Sequence, residues 1–216
     1  MEITTQFNKA DVDKHRDDVI QTILLFVSNS NIRVRYYAYY SLSQFFINHG
    51  KELDKNNIEI LLSNVLQSLD VTISPAPRLR RMILICLIKM INVIDTSILE
   101  ERIGNILTCI ANALAIGPTM VQELCVSGII GLAECIKGNH IAAYYDSLMP
   151  ILQQLLIHSQ SINDESLWGQ ALECCALGTI TTTTTTTFIT TTTSTTTMLM
   201  HLVQQQLLLL PLLLLL

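Results

Sequence analysis

The sequence predicts an all-α chain, an α-solenoid of about four stacked helical hairpins followed by a low-complexity tail. Three observations predict it. From Asp11 to about Gly178 the apolar residues recur at i, i+3, i+4 and i+7, the spacing that lines one face of a helix, and no run alternates as a half-buried strand would. Every second helical segment repeats a common pattern at offsets of 45, 42 and 46 residues. And every Lys, Arg, Asp and Glu of the 216-residue chain lies at or before Glu173, so the end of the chain is unlike the rest.

Eight helices are expected, at about 14–28, 32–48, 56–70, 77–94, 97–115, 118–137, 140–158 and 164–178. The breaks fall at "SNSN" (28–31), "HGKELDKNN" (49–57), "SPAP" (74–77), "IDTS" (94–97), "GP" (117–118), "KGN" (137–139) and "SQSINDES" (159–166). Pro77 and Pro118 sit where a first helical turn tolerates proline, because the missing amide has no intrahelical partner there. Asp95 or Thr96 can cap the fifth helix. Pro150 stands inside the seventh helix, where it removes the bond to the Asp146 carbonyl; a bend that wraps the helix around its neighbours is the expected compensation.

The even-numbered helices align as "VRYYAYYSL" from Val34, "LRRMILICL" from Leu79, "VQELCVSGI" from Val121 and "LWGQALECC" from Leu167. Positions one, five and nine of each are apolar or small, which predicts a buried seam through Ala38, Ile83, Cys125 and Ala171. The offsets match the period of two-helix HEAT or armadillo-type repeats. One hairpin has apolar faces on both sides and cannot bury both alone, so the units are expected to stack, with the solenoid over residues 11–180. Neither end carries an obvious polar capping repeat, and a segment of a longer solenoid is expected.

Beyond Ile180 the chain reads "TTTTTTTFITTTTSTTTMLMHLVQQQLLLLPLLLLL". Poly-Thr is β-branched and a poor helix former, so residues 181–216 are expected to be a disordered Thr/Gln/Leu-rich tail of simple-sequence origin. A tail anchor is the competing reading, yet Leu207 to Leu216 spans only about 15 Å of the roughly 30 Å a bilayer core requires.

Composition excludes several function classes. Net charge is −5, with no basic excess of the kind nucleic acid demands, so no direct nucleic-acid partner is expected. The six cysteines show no C-x-x-C and no metal spacing; they read as small core residues of a reducing compartment, and no metal or cofactor is implied. The polar, acidic N-terminus lacks a signal-peptide pattern. No Ser, Cys or His signature of nucleophilic catalysis is present, and a non-enzyme is expected.

Two charge patterns stand out as candidate binding features. Arg33, Arg35, Arg78, Arg80 and Arg81 cluster at the starts of even helices, a poor place for cations without partners. An Arg–acid ladder with Asp54, Asp70 or Asp95 is the structural reading, with Arg35 and Arg80 its central members; a patch for an acidic partner is the sharper one. Glu123 and Glu134 on the sixth helix, and Glu165 and Glu173 on the eighth, face away from the buried seam and suit Lys/Arg-rich ligands by long-range attraction. Trp168, the only tryptophan, is expected to pack between helices.

The blocks "RVRYYAYYSLSQF" (33–45), "VQELCVSGIIGLAECI" (121–136), "YYDSLMPILQQLL" (144–156) and "LWGQALECCALGTI" (167–180) resemble consecutive HEAT repeats of the importin beta (karyopherin beta) nuclear transport receptors, nearest the karyopherin beta-three branch. The resemblance runs from about residue 15 to 180 and fits an internal segment of such a receptor. It implies recognition of basic cargo proteins on a concave surface, partners in Ran-GTP and nucleoporins, and residence in cytoplasm and nucleus. A HEAT-repeat scaffold without a transport role, or a tail-anchored adapter, is the alternative.

Overall fold

A computed structural model describes residues 15–69, 76–136 and 142–185. Eight helices fill them: α1 (Arg16–Val27), α2 (Ile32–His49), α3 (Lys55–Ser68), α4 (Pro77–Ile91), α5 (Thr96–Ile116), α6 (Thr119–Cys135), α7 (Ala142–Ser161) and α8 (Glu165–Thr185), with a single 3-10 turn at Gly50–Glu52 after α2. No strand occurs among the described residues.

The helix boundaries follow local chemistry. Asn31 accepts from Arg33 N (2.9 Å) to cap α2, Asp54 from Asn57 N (2.9 Å) to cap α3, and Asp164 from Leu167 N (3.0 Å) at the start of α8. Pro77 opens α4 at its first turn, as expected. Pro118 instead stands just outside α6, whose first residue is Thr119, and its carbonyl accepts from Val121 N. Asp95 precedes α5 without a side-chain capping bond. The turn from α7 to α8 uses Asn163 at φ 53°, a left-handed conformation that asparagine tolerates better than most residues.

Consecutive helices pair as four antiparallel hairpins, α1/α2, α3/α4, α5/α6 and α7/α8, and the hairpins stack in chain order. The second helices pack broadly on one another, α2 on α4, α4 on α6 and α6 on α8; the first helices meet more sparsely. The more closely spaced row lies on the inside of a curved stack, so α2, α4, α6 and α8 form the inner wall. The expected seam is buried at every position but Val34, which is half-buried: Ala38, Leu42, Leu79, Ile83, Leu87, Val121, Cys125, Ile129, Leu167, Ala171 and Cys175. Fully buried Tyr39, Phe45 and Phe46 extend the core at the first hairpin, each ring contributing roughly 2–3 kcal/mol on removal from water.

One element departs from the sequence reading. α8 does not stop near Gly178 but carries its helical backbone five residues into the threonine run, to Thr185. Propagating an existing helix costs far less than starting one, so the low propensity of threonine does not end it at once. The remainder of the tail, residues 186–216, lies outside the described residues, as do Asp70, Lys137 and His140. α7 runs unbroken through Pro150, which is exposed, while Leu148, Leu152 and Leu155 are buried. No helix among the described residues is long and apolar enough to cross a membrane.

Candidate functional site

The inner wall presents one outward face per second helix. Counting about 100° per residue from the seam positions Val34, Leu79, Val121 and Leu167 places the outward residues in a common arc of about 100°. On α2 this arc holds Arg33, Tyr36, Tyr40 and Ile47; on α4, Arg78, Arg81, Ile85 and Lys89; on α6, Met120, Glu123, Ser127 and Glu134; on α8, Glu165, Gly169 and Glu173. Their exposure agrees: Glu134, Glu165 and Glu173 are exposed and Glu123 is half-buried. α6 and α8 lie against each other, with Ser127 Oγ 3.5 Å from Gln170 Oε1 across the seam between them. The four carboxylates thus share one continuous two-helix surface.

The arginines divide by a single step of the helix. Arg81 and Arg78 are exposed, whereas Arg80 is only 5% exposed, beside Cys125 of α6. Arg80 is equivalent in the repeat to Arg35 on α2, Gln122 on α6 and Trp168 on α8; Arg80 is buried and the other three are half-buried. Of the acids expected to serve such a ladder, Asp54 caps α3, Asp95 forms no ion pair among the described residues, and Asp70 lies outside them. A set of ion pairs also forms on the first-helix side. Lys55 meets Glu101 (2.9 Å) and Glu59 (3.9 Å) and Arg102 meets Glu59 (3.1 Å), joining α3 to α5, while Arg16 of α1 meets Glu52 (3.2 Å) in the 3-10 turn before α3.

A second feature, not foreseen from the sequence, opens where α3 and α5 splay apart. A groove of about 770 Å³ has Leu62, Leu66 and Leu69 on one wall and Asn105, Thr108 and Asn112 on the other. The polar residues of α5 recur at helical spacing, a signal that could have marked a wet face on an otherwise apolar helix.

Four of the six cysteines are buried, and Cys109 and Cys135 are half-buried. Burial pushes the thiol of Cys86 far up, that of Cys125 up to about 12 against the opposing charge of Arg80, that of Cys174 to about 12 and that of Cys175 to about 11. No group of three His, Cys, Asp or Glu among the described residues could hold a metal ion. The arrangement is suited to binding by surface complementarity.

Four stacked antiparallel helical hairpins define an α-solenoid of the HEAT-repeat kind. The backbone superposes on the crystal structure of Kap121p with a TM-score of 0.66 and 24% identity, covering 78% of this chain and 16% of that one. The same protein bound to the extreme C-terminus of the protein phosphatase Cdc14p gives 0.66 and 22%, again covering 78% and 16%. Bound to Ste12p it gives 0.65 and 23%, covering 80% and 16%. The chain therefore spans about one sixth of the length of these solved proteins. No protein-family model and no curated protein matches the sequence.

Proposed function

We propose that the chain works as a recognition segment of an importin beta-like nuclear import receptor, binding protein cargo on the inner row of second helices. The observation that carries this reading is the outward placement of Glu123, Glu134, Glu165 and Glu173 on the adjoining helices α6 and α8. Four carboxylates within one two-helix surface attract Lys- and Arg-rich segments, steering encounter and favouring an extended basic ligand laid across the helices. The likeness to a karyopherin solved with protein segments bound supports the same use of the fold. Solenoid recognition of this kind needs residues 11–180 and leaves the tail outside the binding unit. Ran-GTP and nucleoporins are the further partners this reading implies, in a protein that moves between cytoplasm and nucleus.

Charge reversal tests it. The variant Glu123→Lys/Glu134→Lys/Glu165→Lys/Glu173→Lys should lose about tenfold or more of its affinity for an oligolysine peptide and most of the salt dependence of binding. Unchanged affinity and unchanged salt dependence would reject the cargo surface.

A further inference from the structure

Charge on the inner row is segregated by helix. α2 and α4 contain no acidic residue, and α6 and the described side chains of α8 contain no Lys or Arg. The basic half presents Arg33, Arg78, Arg81 and Lys89, all exposed, on the same arc that carries the glutamates one helix further on. None of these four forms an ion pair or a side-chain hydrogen bond among the described residues, unlike Arg16, Lys55 and Arg102, which do.

Their position costs stability. Arg33 and Arg78 lie in the first turn of their helices and Arg81 at the start of the next, where the helix dipole disfavours a cation, and neither first turn holds an acid to offset it. Among the described residues nothing offsets the placement of these three arginines. Between them the surface is aromatic and aliphatic: Tyr40 is 36% exposed and Ile85 half-buried, with Tyr37 on the flank at 65%. Guanidinium groups beside exposed phenols form a surface that binds carboxylates bidentately and packs the aliphatic parts of a peptide against rings.

We propose that the α2–α4 face binds an acidic segment of a protein partner. A polyanion of indefinite length fits less well. Stacked helices lie about 8–10 Å apart, so a nucleic-acid strand extending beyond α4 would meet the carboxylates of α6 at about one Debye length. A short run of Asp and Glu satisfies the basic half without entering the acidic one. This site is separate from the proposed cargo surface and stands or falls independently of it.

The test uses the full chain, a labelled oligoglutamate peptide, a labelled oligolysine peptide and a single-stranded oligonucleotide, each titrated by fluorescence anisotropy. The parent protein should bind oligoglutamate, and the variant Arg33→Glu/Arg78→Glu/Arg81→Glu/Lys89→Glu should bind it about tenfold more weakly or worse. Oligolysine affinity should not fall, which separates this site from the glutamate surface. Three of the four reversals improve the charge–dipole arrangement, so helicity should hold; the neutral Arg33→Gln/Arg78→Gln/Arg81→Gln/Lys89→Gln variant gives an intermediate loss that repulsion cannot explain. The proposal is overturned if the parent does not bind oligoglutamate, if both variants bind it within about twofold of the parent, or if only the oligonucleotide binds.

Discussion

Gly117 packs against Val121 so closely that a β-carbon on the glycine would stand 2.7 Å from Val121 Cγ1, and equally 2.7 Å from the Ala113 carbonyl oxygen. The backbone there is extended (φ −82°, ψ 151°) and any residue could adopt it; the constraint is space. This contact fixes how α5 hands the chain to α6, because Ala113 belongs to one helix and Val121 to the other.

Gly117→Ala is therefore expected to destabilise the fold by roughly 1–3 kcal/mol, since a backbone carbonyl cannot move aside as a side-chain tip can. Gly169→Ala should do the reverse. That glycine lies on the exposed face of α8 with nothing within 4 Å of an added β-carbon, so alanine gains about 0.5–1 kcal/mol of helix propensity at no steric cost. Thermal melts of the two variants should move in opposite directions from the parent.

Adjacent arginines should behave as differently as adjacent glycine contacts. Arg80→Ala removes a side chain 5% exposed beside Cys125 and should cost roughly 2–4 kcal/mol, because a buried cation and its stem leave both lost contacts and a cavity. Arg81→Ala, on the exposed face, should change stability by no more than about 0.5 kcal/mol. Denaturant titration of the pair would reveal equal effects if the division into an inward and an outward arginine were wrong.

Much of this architecture was legible in the sequence because its punctuation is local. Pro77, the "SNSN" and "SQSINDES" breaks and the apolar period each act within a few residues, and every helix but α8, which overruns its expected end, falls close to the expected bounds. The repeat offset of Val34, Leu79, Val121 and Leu167 carried the stacking as well, since a hairpin with two apolar faces has few other ways to bury them. The ion pairs of the first-helix side were not legible, for the opposite reason. Lys55 and Glu101 meet only after two hairpins have stacked, while Asp54, one of three acids expected to pair across repeats, accepts from the amide of Asn57. The glutamate face could be derived from a helical wheel; the groove between α3 and α5 could not, because it depends on how far two helices diverge.

The ion pairs of the first-helix side should be worth little in isolation and should depend on salt. Glu59 takes Arg102 at 3.1 Å and Lys55 at 3.9 Å, and these side chains retain 31–54% of their surface. Glu59→Gln is expected to lower stability by about 1 kcal/mol or less at low ionic strength, with the difference shrinking toward zero in molar salt. A loss that persisted undiminished in high salt would mean that Glu59 acts through packing and not through charge.

The buried thiols and phenol make the fold sensitive to alkali. Burial raises Cys125 and Cys174 from 9.0 to about 12, Cys175 from 9.0 to about 11, and Tyr39 from 10.0 to about 12, the last opposed by Ser68. Each raised value means that the unfolded chain loses its proton first, so these groups contribute full stability below about pH 9 and lose it as pH rises toward 11–12. The slope should be on the order of 1 kcal/mol per pH unit for each group that titrates only when unfolded. Urea midpoints measured across this range should hold steady to about pH 8 as far as these groups are concerned and then fall steeply. The Cys125→Ala/Cys174→Ala/Cys175→Ala variant should show a shallower alkaline fall than the parent, whatever its starting stability. An identical slope in parent and variant would place the alkaline transition elsewhere and remove the thiols from it.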